Sequence, residues 1–145
     1  MNIALFIFLV LLDQITKYYA LNFLSKVGSI PIIDNIFNLT YVENRGAAFG
    51  MLQNQKWFFV LVAIVVVSFI VYHLKTNKNI SRLYQVSLIL ILAGAIGNVI
   101  DRIRLNFVVD FFDFIVWPVF NVADICVVIG GILLSYIILF DKEHE

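Results

Sequence analysis

WFFVLVAIVVVSFIVYHL, Trp57 to Leu74, is an 18-residue run without a formal charge. As a helix rising about 1.5 Å per residue it covers about 27 Å, close to the roughly 30 Å hydrocarbon core of a bilayer. The rest of the chain has the same character: of 145 residues 62% are hydrophobic and 14% charged, against about 25% charged in soluble domains. A membrane protein is therefore expected. Ten basic and ten acidic residues cancel, so the balance gives no electrostatic case for nucleic acid. Cys126 is the only cysteine, which excludes an internal disulfide and a cysteine-based metal cluster and reads as a small apolar filler.

Outward from this run, the next segment is KTNKNISR, Lys75 to Arg82, with three basic residues and no acid; such a loop prefers the cytoplasm. Leu83 to Ile100 is a further span. Gly94, Asn98, Asp101 and Arg102 stand on one face of it at i, i+4, i+7 and i+8. Gly94 and Gly97 fit close helix packing or a site, and Asp101 beside Arg102 fits either a solvated charge pair or part of a polar cluster. On the other side of the opening run, Ser25 to Lys56 is too polar to span. There Phe37, Leu39 and Tyr41 alternate with Asn38, Thr40 and Val42, the period of a half-buried strand, and NRGAAFG follows as a turn. A small β-rich platform on the membrane surface is expected, its Asn44 and Arg45 reading a peptide backbone or forming an ordinary turn.

The first span, Ile3 to about Asn22, lacks the basic start and small-residue cleavage site of a signal peptide and is expected to be retained. DQITK interrupts it, placing Asp13, Thr16 and Lys17 on one face; Asp13 and Lys17 read as a structural pair or as direct participants in chemistry. Arg104 to Pro118 is aromatic and acidic, hence interfacial. Phe120 to Phe140 is the last span, with Asn121 and Asp124 sharing a face, and DKEHE follows as a solvated tail. The expected organisation is one integral membrane domain, residues 1–145, with spans at about 3–22, 57–74, 83–101 and 120–140, a platform at about 25–56 and a connector at about 102–119. Four spans with the basic turn inside put both termini in the cytoplasm. The polar groups of three spans then gather in the outer leaflet, beneath the platform and the connector. A charge held in a membrane is functional by default, so a site at the outer interface is the economical reading.

The residue types restrict the chemistry. The chain has no serine–histidine pair, no HExxH, no phosphate-binding glycine loop and no histidine cluster, and what remains is carboxylate chemistry. Asp110 on the connector and Asp124 one turn into the last span are close enough in sequence to meet. Two such acids hold one proton between them. One then draws a proton from water while the other polarises a carbonyl, which is amide hydrolysis without a covalent intermediate. A small proton or ion carrier using Asp13, Asp101 and Asp124 as a relay is the alternative, and a purely structural subunit a third.

DQITK, NRGAAFG, AGAIGNVIDR, VVDFFDF and FNVADI, in this order over nearly the whole chain, resemble the lipoprotein signal peptidases (signal peptidase II). The resemblance implies a mainly α fold of four transmembrane helices with an extracytoplasmic β-cradle and a short interfacial helix over the site. It also implies a bacterial inner-membrane aspartic endopeptidase that cuts diacylglyceryl-modified prolipoproteins just before the lipidated cysteine, with the active site at the extracytoplasmic leaflet. Carried over by motif, Asp110 and Asp124 are the catalytic pair; Asn44, Asn98, Arg102 and Asn121 line the substrate pocket; Asp13, Lys17 and Gly94 support the structure. No metal or cofactor is expected. Membrane lipids are expected partners, and globomycin-type cyclic peptides expected inhibitors. Most of the substrate's binding energy is expected from apolar burial of its acyl chains and signal helix.

Overall fold

The computed structural model describes residues 2–46, 52–77 and 79–140. The second half of NRGAAFG, residue 78 of the basic turn and the DKEHE tail lie outside the described residues. Four helices are long and apolar enough to cross a membrane: α1 (Ile3–Val27), α2 (Lys56–Thr76), α3 (Arg82–Leu105) and α4 (Val122–Phe140). Three short strands, β1 (Ser29–Ile33), β2 (Phe37–Asn44) and β3 (Val108–Asp113), form one antiparallel sheet in the order β1-β2-β3. The first two strands connect α1 to α2 and the third connects α3 to α4, so the sheet covers one end of the bundle.

Local chemistry sets these boundaries. Asn2 accepts the Leu5 N–H at the start of α1 and Ser81 the Tyr84 N–H at the start of α3, each satisfying one donor that a helix start leaves open. α1 continues past Asn22 through a wider π-type turn at Ala20–Leu24 and stops at Gly28, whose φ of 83° suits glycine. α3 ends on Asn106 in the left-handed conformation, with its N–H on the Arg102 carbonyl. Among the described residues no short helix stands apart from the four spans. Ser25–Val27 is the last turn of α1, and the connector between α3 and α4 adds β3 to the sheet.

α2 shows how the spans divide their faces. Trp57, Leu61, Val65, Phe69 and Tyr72 are exposed along one stripe, the surface a helix offers to lipid. On its other side Ile70 packs with Leu88 and Leu92 of α3. α3 is the central helix, packing on each of the others, most extensively on α4. Small residues allow that approach. A Cβ on Gly94 would run into the Ala123 carbonyl of α4, and one on Gly130 would lie 2.7 Å from the Ser87 carbonyl of α3. Since lipid competes for apolar contact as well as protein does, such close backbone packing is what holds membrane helices together.

The sheet contains the irregularity that matters for the site. β2 and β3 pair Leu39 with Phe112 but Val42 with Asp110, so β2 carries one extra residue between these points, a β-bulge. An extra residue reverses which side chains face which way. The alternation of Phe37, Leu39 and Tyr41 therefore does not continue through the strand, and Val42 and Asn44 turn onto the face that carries Asp110. Asp113 ends β3 by accepting Thr40 Oγ1 and the Ile115 N–H, each at 2.8 Å; it caps a turn rather than a helix.

Gly94→Val should lower the thermal unfolding midpoint of the protein in detergent, with a loss of about 1–3 kcal/mol typical of overpacking. An unchanged midpoint would show that α3 and α4 do not depend on this contact.

Candidate active site

At the sheet end of the bundle, Asp13, Lys17, Asp101, Asp110 and Asn121 are all buried, none more than 3% exposed. Lys17 anchors them. Its Nζ lies 3.0 Å from Asp13 Oδ2, 3.1 Å from Asp101 Oδ2 and 2.9 Å from Asn98 Oδ1. An ammonium has three N–H groups and no acceptor, so its capacity is used in full. The two acids pass the connection on. Asp13 Oδ1 accepts the Ala123 N–H in the first turn of α4 at 2.8 Å, and Asp101 Oδ2 accepts the Val109 N–H of β3 at 3.0 Å. Gln14 Nε2 fills the space between them, 3.1 Å from Asp13 Oδ2 and 3.2 Å from both Asp101 Oδ1 and the Gly97 carbonyl. Gly97 has no side chain because a Cβ there would meet Asp13 Oδ2.

These contacts aim β3 and α4 at one another and bring Asp110 and Asp124 to the same cleft. Asp124 sits in the first turn of α4, where Asn121 Oδ1 accepts its N–H at 2.9 Å and Asp124 Oδ2 accepts the Asn121 N–H at 3.2 Å. This reciprocal pair is a capping box with asparagine and aspartate in its two roles. It places the Asp124 carboxyl at the N-terminal end of α4. Asp110 is held from the other side, its Oδ2 accepting Asn44 Nδ2 at 2.9 Å and its Oδ1 accepting Asn121 Nδ2 at 2.6 Å. Burial, reinforced by the charge of Asp124, pushes the Asp110 carboxyl up to about 7, against the opposing pull of the Asn44 and Asn121 hydrogen bonds and of Lys17. Asp110 therefore keeps its proton to a higher pH than an ordinary aspartate does.

Three amides deliver the N–H groups that surround the dyad, and the orientation of each is fixed by a group that can only donate. Asn98 Oδ1 is taken by Lys17, Asn121 Oδ1 by the Asp124 N–H, and Asn44 Oδ1 by the Gly46 N–H at 3.0 Å. Their NH₂ groups therefore face the carboxylates, Asn98 Nδ2 reaching Asp124 Oδ1 at 2.8 Å. Asn121 Nδ2 also lies 3.2 Å from Asn98 Oδ1. Uncharged donors on both acids suit a site that needs polarity without further net charge.

A cleft of about 780 Å³ opens in front of the dyad, lined by both aspartates with Asn44, Arg102, Phe59 and Trp117 among its walls and Ile125, Val128 and Ile129 of α4 along one side. α2 and α4 both pack on α3 and not extensively on each other, and both contribute to the cleft wall, α2 through Phe59. The Arg102 guanidinium lies 4.6 Å from the centre of the Phe59 ring and donates to the Gly46 carbonyl at 3.3 Å. Asn44 and Arg102 are thus at the cleft as expected from the sequence. Asn98 and Asn121, expected to line it, are not among its walls; they hold the carboxylates from behind. Asp13 and Lys17 meet the site only through Asn98 and backbone, and Gly94 serves the α3–α4 contact. Gln14 gave no signal in the sequence beyond its place in DQITK. Asp101, which fitted either a solvated pair with Arg102 or part of a polar cluster, is 2% exposed and bound to Lys17.

Comparison with known proteins identifies the family. The sequence model of the family described as signal peptidase (SPase) II matches residues 5–140. The lipoprotein signal peptidase of Clostridioides difficile (strain 630) is 52% identical over 145 residues, covering 99% of this chain and 97% of its own. That of Caldanaerobacter subterraneus subsp. tengcongensis is 52% identical over 142 residues, with 97% of both chains covered. Two solved structures, both titled as bacterial membrane enzymes determined by the in meso method, superpose on it. One has a TM-score of 0.89 at 34% identity, covering 99% of this chain and 92% of the other; the second has 0.85 at 36%, covering 97% and 93%. With a family match over nearly its full length, the chain belongs to the signal peptidase II family, a family of multi-pass bacterial membrane peptidases.

Proposed function

We propose that the protein cleaves the signal peptide from diacylglyceryl-modified prolipoproteins, N-terminal to the lipidated cysteine, with Asp110 and Asp124 as its catalytic pair. The observation that carries the assignment is the asymmetric setting of the two carboxyls: Asp124 in a capping box at a helix start and Asp110 buried, its carboxyl raised to about 7. In this reading Asp124 takes a proton from water as the water oxygen attacks the scissile carbonyl carbon, and Asp110 gives its proton to the carbonyl oxygen. Collapse of the tetrahedral diol returns a proton to Asp110, breaks the C–N bond and passes the proton on Asp124 to the leaving amine. Atoms and charge balance without a metal or cofactor.

Asn44 and Arg102 at the cleft orient the peptide, Asn98 and Asn121 hold the dyad, and Asp13, Lys17 and Gly94 hold the frame. The termini lie in the cytoplasm by the basic turn between α2 and α3, which sets the dyad at the extracytoplasmic leaflet. There the apolar side of the cleft, Ile125, Val128 and Ile129 of α4 with Phe59 of α2, takes the acyl chains while the peptide reaches the carboxylates. Membrane lipids and globomycin-type cyclic peptides are further occupants that the cleft would accept. The carrier alternative finds no support, since Asp13 and Asp101 are tied to Lys17 and the family is one of peptidases.

Purified protein in detergent should cut a diacylglyceryl-modified prolipoprotein before the lipidated cysteine, and Asp110→Asn and Asp124→Asn, each folded by its melting curve, should lose about 10²–10⁴-fold in kcat/KM. Variants that cut at the wild-type rate would refute the dyad. The pH profile supplies an independent check. A carboxyl whose pKa is raised acts as an acid only below that value, so the rate should fall as pH rises through about 7, the apparent value belonging to the pair. A rate still climbing at pH 9 would assign the proton elsewhere.

A further inference from the structure

The mechanism uses Asp110 and Asp124 and gives Lys17 no part beyond holding the bundle. We propose that Lys17 is also a positioning residue for the reaction, acting on Asp124 through the side chain of Asn98. The inference rests on the peptidase reading above. Its basis is direction. Lys17 is 3% exposed and donates to Asn98 Oδ1 at 2.9 Å. Turning that amide around would set its NH₂ against an ammonium that has nothing to accept with. Held this way, Asn98 Nδ2 points at Asp124 Oδ1, 2.8 Å away. Asn121 Nδ2 is the other donor to Asn98 Oδ1, at 3.2 Å, and it is shared with Asp110 Oδ1 at 2.6 Å. Without Lys17 the Asn98 amide is held by this shared donor alone. Its reversed orientation, with the carbonyl oxygen turned to Asp124, then becomes accessible and disfavours the ionised base.

Other charged or titratable groups surround the dyad: Asp13 on α1, Asp101 and Arg102 on α3, Glu43 on β2 and Cys126 on α4. α2 contributes Phe59 to the cleft and no charge there. Unlike Lys17, none of these groups bonds the amide that donates to Asp124 among the described residues; Arg102 reaches the Asn98 backbone carbonyl, at 3.5 Å, and not its side chain. Asn98 also sits where it can be changed without breaking the Lys17 ion pairs to Asp13 and Asp101.

The test is the pH profile of kcat for cleavage of a diacylglyceryl-modified prolipoprotein by wild type, Asn98→Ala, Lys17→Met and the double variant. Loss of one charge-assisted donor should move the acidic limb, which reports the base, upward by about one pH unit in Asn98→Ala. Because binding is not altered, KM should stay within about twofold. Lys17→Met should move the limb at least as far, and the double variant no further than Lys17→Met, since both changes remove one path. If Lys17→Met does not fold, Lys17→Met/Asp101→Asn, which removes a buried cation and anion together, takes its place, with and without Asn98→Ala. An unmoved limb in Asn98→Ala overturns the proposal. So do additive shifts, which would mean that Lys17 acts by its charge alone. Wild type that does not cleave, or cleavage indifferent to Asp124→Asn, would instead strike the dyad assignment itself.

Discussion

A single ammonium fixes the geometry of this protein. Lys17 is buried among helices, where an unpaired cation costs several kcal/mol, and it is held by Asp13, Asp101 and Asn98 with no N–H to spare. Ion pairs of this kind contribute little net stability because desolvation offsets attraction. Their value here is placement. Asp13 grips the first turn of α4 and Asp101 grips β3, so the two elements that carry Asp124 and Asp110 are referred to one charge. The absence of a side chain at Gly97 is part of the same device, since it leaves Asp13 room to lie between α3 and α4.

From that anchor the polarity runs outward in one direction. Each asparagine of the site has its oxygen occupied by an obligate donor and its NH₂ turned to a carboxylate. A flip of any one would set acceptor against acceptor and donor against donor, and at low dielectric such an unmade bond costs about 1–3 kcal/mol. Glutamine or histidine in these places would bring a longer chain or a second protonation state. Asparagine has neither, and its short reach suits carboxylates held in fixed positions.

The four spans and the polarity of one end were legible in sequence because membrane helices are written in long apolar runs, and a charge within such a run has few explanations. The sheet was only partly so. β2 alternates at its start, but the bulge before Val42 reverses its phase, and nothing in FNLTYVEN marks an extra residue. β3 gave no alternation at all, since Val108 to Phe111 are buried on both sides, so VVDFFDF read as an aromatic connector. Asp101 was obscured by its neighbour. Residues i and i+1 on a helix point about 100° apart, so Asp101 turns inward to Lys17 while Arg102 turns to the cleft, and adjacency in sequence suggested a pair that the helix does not permit.

The setting of the cleft also changes where selectivity must come from. Val128 and Ile129 line it and are partly open to the surroundings of the bundle. An acyl chain that slides from lipid into such a wall exchanges one apolar environment for another, so the transfer from water that gives about 0.8 kcal/mol per methylene is absent. On the proposed function, apolar burial of such a chain, which the family resemblance led one to expect as the main source of binding energy, would then contribute chiefly packing. Discrimination falls to groups that a lipid tail cannot satisfy. In the proposed function Asn44 and Arg102, which line the cleft with the dyad, are such groups. On that proposal a bilayer lipid that shares the acyl chains but lacks a peptide backbone gains nothing from these groups, whose present partners are Asp110 and Gly46.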